Sequence, residues 1–323
     1  QLFKGVINMN TFKKIGLTAL ASSLVVTSAV AGEMSVSGGA SIGLKNTTKT
    51  ASGKSWTMGN QLTFSGSGEL DNGMNVSLSF VIDQADDSTT TTNARDPFDS
   101  HSVTISSDAM GTLVMSGEGG SSAQSAIDTT AAGDLWDNGS GFTTPRASEA
   151  GDNSLFYTLP SIMDDVTITA SYSPGGAGGA SASAYGLGYT GVEGLSVNVA
   201  TGETNTLGTE QDHNTMKASY AYGSLTIAAS QSESIYDNAA SIDEEVSGWK
   251  VSYTVSDDLS VSYASETIET EAQAVDEEAE AISVSYTTGG VTLSATQYEF
   301  SGKGNSNTES SSTGDVERWA LSA

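Results

Sequence analysis

Apolar and small polar residues alternate along this chain in about sixteen short segments. In Ala281 to Thr287, Ile282, Val284 and Tyr286 share one parity while Ser283, Ser285 and Thr287 share the other, and successive side chains of a strand point to opposite faces. Ser256 to Ala264 repeats the scheme, with Leu259, Val261 and Tyr263 against Ser260 and Ser262. A soluble sandwich would set its apolar face against a second sheet. Here the other face is nearly all Ser, Thr, Gly and Ala, which suits a wet lumen, so the pattern predicts an all-β chain closed into a transmembrane antiparallel β-barrel.

The gaps between segments carry their own rhythm. Seven are tight, among them Asp71-Asn72-Gly73, Gly191 to Gly194 and Thr288 to Gly290, with the residues that tight turns demand. The other eight are long and polar: 46–55, 84–99, 119–151, 174–182, 202–213, 233–245, 267–279 and 300–314. Short and long alternate throughout, which places eight loops on one rim and seven turns plus both termini on the other. Tyr157, Tyr189, Tyr220, Tyr253 and Tyr286 fall near the turn-side ends of five even-numbered strands, all with apolar-face parity. That predicts an aromatic girdle at one membrane interface. The four prolines, Pro97, Pro145, Pro160 and Pro174, fall outside the segments, as ladder hydrogen bonding requires.

The front of the chain indicates export. Lys13 and Lys14 follow Met9, an apolar run extends from Ile15 to Val30, and Ala29-Val30-Ala31 offers a small-residue cleavage site. Residues 9–31 are therefore expected to be a signal peptide and residues 32–323 the barrel domain, with residues 1–8 upstream of a plausible start. Removing residues 1–31 leaves nine Lys and Arg against 39 Asp and Glu, a formal charge of minus 30. So acidic a chain repels nucleic acid and lacks a basic patch to bind it. It has no cysteine, which removes disulfides, thiolate metal sites and thiol catalysis together. Closing the ring, with every backbone group paired, is then the means of holding the structure.

The signal peptide, the opening strand Met34 to Lys45, the Asp71-Asn72-Gly73 hairpin, the oversized third loop and the closing strand Asp315 to Ala323 together resemble a general porin of Gram-negative outer membranes, of the alphaproteobacterial type. The resemblance spans essentially the whole mature length. It implies a homotrimer embedded in outer-membrane lipid and lipopolysaccharide, a water-filled channel for passive diffusion of small hydrophilic solutes and ions, and no cofactor. It also implies that the third loop folds into the pore and narrows it. Such porins usually end on an aromatic residue, whereas Ala323 shares a face with Trp319 and Leu321, so a native end one or two residues further on is expected.

Loop 3, Gly119 to Gly151, is too long for an idle connection. Ser122 to Ala132 is expected to form a short helical turn, and Leu135, Trp136 and Phe142 to anchor the loop inside. Its charges are Asp128, Asp134, Asp137 and Glu149 against Arg146, the expected constriction. Lys45, Lys217, Lys250 and Arg318 have polar-face parity and are expected to point into the lumen opposite that loop, since a charge on the lipid face costs about 2–4 kcal/mol near midplane. Four loop acids and a negative rim predict a cation preference.

Other constellations are weaker. His101 has Asp99 and several serines nearby, but a triad needs partners set by geometry and a serine-rich chain supplies such neighbours to His101 and His213 by chance, so no enzyme is expected. Glu266 to Glu280 holds seven carboxylates at a spacing that fits no ordered cation loop, and reads as a solvated charge run, with no metal site. Gly175 to Gly179 lacks phosphate-binding context and reads as a flexible loop. The competing readings are a solute-selective channel on the same barrel and a surface adhesive β-protein, which would need no lipid-facing stripe.

Overall fold

The computed structural model describes residues 33–47, 53–83, 99–127, 130–139, 142–148, 152–175, 180–206, 209–237, 242–271, 273–303 and 316–323. The expected signal peptide, Pro97, Asp128 and Glu149 lie outside the described residues, as does most of the Gly175 to Gly179 stretch.

Sixteen strands form one closed ring in which each pairs antiparallel with its sequence neighbours and the last with the first. They are β1 (Glu33–Thr47), β2 (Gly53–Glu69), β3 (Asn75–Asp83), β4 (Ser100–Ser107), β5 (Gly111–Glu118), β6 (Ser154–Thr158), β7 (Val166–Ser173) and β8 (Ser181–Tyr189). The second half comprises β9 (Leu195–Thr206), β10 (Thr209–Tyr222), β11 (Leu225–Tyr236), β12 (Glu244–Ser256), β13 (Leu259–Thr270), β14 (Glu277–Thr288), β15 (Val291–Ser301) and β16 (Val316–Ser322). Among the described residues no helix is long and apolar enough to cross a membrane. The strands are the crossing elements.

Period-two patterning explains the two faces. Cross-strand partners share a face, and one outward row runs Tyr253, Val261, Val284, Ala295, Leu321 through five consecutive strands. Tyr189, Tyr220, Tyr253 and Tyr286 are exposed on that outer face, and the Tyr157 hydroxyl donates to the carbonyl of Met110 in the adjoining turn. The expected girdle is present. The tight turns follow local chemistry: Gly73 takes φ +80° where Asp71-Asn72-Gly73 reverses the chain, and Asn72 Oδ1 accepts the N–H of Met74 at 3.1 Å.

Several strands run further toward the loop rim than alternation of apolar residues alone suggests. β9 and β10 continue to Thr206 and Thr209, paired to their tips, so the expected loop 202–213 is mostly hairpin. β13 reaches Thr270 and β14 starts at Glu277, and this moves Glu266 and Glu277 out of the expected loop and into the wall. Backbone pairing persists there because the ladder does not depend on which side chains it carries. The seam is the shortest closure of the β1 edge: β16 meets β1 only from Gly43 to Thr47, extended by mutual hydrogen bonds between Ile42 and Ala323.

Candidate pore constriction

Loop 3 leaves β5, turns into the ring and lies against the inner wall of β7 and β10 to β16. Its path is recorded by hydrogen bonds to wall side chains. Ala123 N–H donates to Ser171 Oγ of β7 at 2.8 Å, Gln124 Nε2 to Thr215 Oγ1 of β10 at 2.6 Å, and Ala131 N–H to Ser230 Oγ of β11. These contacts identify the inner face of each strand, and parity extends it.

Three wall carboxylates carry the second half of the loop. Glu266 of β13 accepts the N–H of Trp136 on Oε1 at 3.1 Å and that of Leu135 on Oε2 at 3.2 Å, the first two amides of a single 3₁₀ turn, Leu135–Asn138. Glu277 of β14 accepts the N–H of Thr143 at 2.7 Å, and Glu244 of β12 accepts that of Arg146 at 2.7 Å. Glu244, Glu266 and Glu277 are 3%, 1% and 2% exposed, so they are walled off from the open lumen by the loop they hold. The reading of Glu266 to Glu280 as a solvated run is corrected for Glu266 and Glu277, whose partners lie more than a hundred residues away in sequence.

Two of the three expected apolar anchors, Leu135 and Phe142, join an apolar cluster, while Trp136 is half-buried outside it. Leu135 is buried with Ala132, Ala264, Ala279, Ala281 and Phe300, and the Phe142 ring meets Phe300 at 5.0 Å. Small residues in the wall make room: a Cβ on Gly248 would collide with the Thr130 hydroxyl, so only glycine lets loop 3 lie this close to β12. Within the expected helical turn, Ser122 to Ala126 forms one turn closed by Ala126 N–H to the Ser122 carbonyl at 2.9 Å, and the Ser122 and Ser148 hydroxyls join the two limbs of the loop at 2.5 Å.

Of the expected constriction residues, Asp134 and Asp137 flank and lie within the 3₁₀ turn, Asp134 partly exposed and Asp137 exposed. Arg146 leans on the wall with its side chain about a third exposed. Its Nε lies 3.7 Å from Glu244 Oε2, its Nη1 donates to the Ile242 carbonyl, and its guanidinium stands 5.0 Å from the Tyr236 ring centre. The four expected wall cations all have inner-face parity. Lys217 lies two residues from Thr215 and Lys250 two from Gly248, while Lys45 pairs with Ala320, two from Arg318.

Lys217, Lys250 and Arg318 do not stand opposite loop 3, however. Arg318 Nη1 donates to the Asn138 carbonyl of the loop and its guanidinium stands 5.7 Å from the Tyr298 ring centre, and Gly133 sits over Lys250 Nζ. Across the ring, the inner faces of β1 to β4 present Ser37, Thr57, Thr63, Ser65, Ser79 and Ser102. Charge of both signs is concentrated on the loop side, and the facing wall is rich in hydroxyls, with Lys45, Gln61 and Asp83 among them by parity. Among the described residues no cluster of His, Asp or Glu is arranged to hold a metal ion. His101 lies on the outer face against Phe80 at 6.2 Å, and His213 is buried behind the loop with Nδ1 on Ser234 Oγ at 2.8 Å.

The profile of the Gram-negative porin family matches residues 16–305. No curated protein sequence matches the chain. Among solved structures, the anion-selective porin from Comamonas acidovorans is similar at 13% identity and TM-score 0.66, over 90% of this chain and 98% of that one. OmpT, an outer membrane protein of Vibrio cholerae, is similar at 14% identity and TM-score 0.69, over 94% and 98%. Salmonella typhi OmpF, solved with daunomycin, is similar at 14% identity and TM-score 0.66, over 90% and 97%. At these identities the likeness is one of fold. The family profile, by contrast, covers most of the chain, and with a sixteen-strand ring carrying a loop folded against its inner wall it shows that this protein belongs to the Gram-negative porin family.

Proposed function

We propose that this outer-membrane porin is a general diffusion channel, passing small hydrophilic solutes and ions down their gradients without a catalytic step or a cofactor. The supporting observation is the inner surface itself. Away from loop 3 it is mainly small and polar, rich in Ser and Thr hydroxyls with Lys45, Gln61 and Asp83 spaced among them, a surface that solvates many solutes and is built around none. A solute-selective channel would show a current that saturates with its solute; a diffusion pore shows none.

Export through a cleaved signal peptide at residues 9–31 and assembly as a homotrimer belong to the same reading. Contact with lipid and lipopolysaccharide is supported by an outward row in which Glu280, Glu299 and Glu317 pair in register, one step loopward of Tyr263 and Trp319. Aromatic rings at that height suit the membrane interface, and the carboxylates then stand at headgroup level.

A cation preference is supported by the formal charge of minus 30 on residues 32–323 and by Asp134 and Asp137 at the loop, although the Comamonas porin of similar fold is anion-selective. The test is the reversal potential in a salt gradient. Its rim component should shrink as the Debye length falls from about 30 Å at 0.01 M to about 3 Å at 1 M salt. Neutralising Asp128, Asp134 and Asp137 together should remove most of what persists at high salt. An anion-selective wild type, or an unchanged triple variant, overturns the cation preference.

A further inference from the structure

We infer that Glu266, supported by Glu277 and Glu244, is a positioning residue that sets the bore of the pore, and that it does so without being sensed by the ions that pass. This inference rests on the channel reading above. Glu266 is almost completely buried, and both of its oxygens are committed to loop amides, with the Thr130 hydroxyl as a third donor. Those amides open the 3₁₀ turn that carries Asp137 and follows Asp134.

The three carboxylates lie on consecutive strands β12, β13 and β14, and they grip the loop at Leu135–Trp136, Thr143 and Arg146. The grip on the 3₁₀ turn is made to backbone, so it fixes the path of the loop without engaging the side chains of Asp134 and Asp137. Glu266 accepts from two adjacent amides, so the turn is held at two points and cannot pivot about one. The division of labour is therefore clear. Wall acids hold the loop in place, and loop acids set the field in the opening.

Two sets of variants separate these roles in single-channel recordings of the full-length protein refolded in planar bilayers, paired with a vesicle-swelling assay on neutral saccharides of increasing size. Glu266→Ala should raise unit conductance or flicker and admit saccharides that the wild type excludes, while the reversal potential at high salt stays near the wild-type value. Glu266→Gln keeps one carbonyl acceptor and should fall between the two. D134N and D137N should show the converse, a shifted reversal potential with an unchanged exclusion limit. Heat-modifiable gel mobility confirms that each variant forms the barrel. If Glu266→Ala fails to form it, Glu266→Gln and Glu277→Ala carry the same comparison.

An unchanged exclusion limit and conductance in folded Glu266→Ala overturns the inference. So does a reversal-potential shift in Glu266→Gln as large as that in D134N. A wild-type protein that yields no conductance steps at all would instead overturn the channel reading.

Discussion

Arg146 of loop 3 and Glu244 of β12 meet twice. The backbone N–H of Arg146 donates to Oε1 at 2.7 Å while its Nε lies 3.7 Å from Oε2. Glu244 is buried and Arg146 is about a third exposed, so the pair ties the returning limb of the loop to the wall at the edge of the water-filled space.

Among the described residues, removing Glu244 leaves Arg146 with only the Ile242 carbonyl and the Tyr236 ring. Glu244→Ala should weaken the local contact by roughly 2–3 kcal/mol, less than a fully buried pair would lose because Arg146 retains access to water. Trypsin provides the readout, since it cuts after arginine. The intact protein in detergent should resist cleavage at Arg146 and the variant should be cut there with the barrel still folded. Equal resistance in both would show that the pair does not hold the limb.

The Gly248 approach predicts a steric displacement. Gly248→Val places methyl groups where the Thr130 hydroxyl sits, and overpacking of this kind costs about 1–3 kcal/mol. The loop, not the β12 ladder, should yield, because the strand is paired on both sides. Conductance should change while heat-modifiable mobility does not. A variant that conducts like the wild type would place Thr130 elsewhere.

Assignment of the two faces can be checked residue by residue. The chain has no cysteine, so single-cysteine variants report without background. Cysteines at Ser283 and Ser285 should react with a membrane-impermeant maleimide through the pore. Those at Val284 and Ile282, on the outer face, should not react in lipid but should react with an apolar thiol reagent. Uniform labelling at all four would contradict the alternation.

The seam predicts an assembly failure. β16 supplies the partners of β15 from Ser294 to Phe300 and of β1 from Gly43 to Thr47. Deleting Arg318 to Ala323 removes most of both ladders, and unpaired backbone in lipid costs several kcal/mol per group. The ring should fail to close rather than close weakly. A deletion that retains the fast-migrating folded form on a gel would show that other strands can seal the barrel.

The number of strands, the alternation of turns and loops, the outward tyrosines and the inward parity of Lys45, Lys217, Lys250 and Arg318 are all legible in the sequence. Each rests on a local rule: a period of two along a strand, turn residues at reversals, and the cost of charge against lipid. Leu135 and Phe142 are legible as anchors for the same reason, since apolar residues in a long polar loop need something to pack on. Tertiary structure decided the rest. Glu266 and Glu277 look solvated in a run of acids, and only their pairing with amides more than a hundred residues distant turns them into the supports of loop 3. The placement of Arg318 and Lys250 beside the loop, and of a hydroxyl wall across from it, was likewise invisible. Parity states which way a side chain points, but the side of the ring on which the loop comes to rest depends on closure of the whole barrel and on long-range contacts such as Phe142 with Phe300.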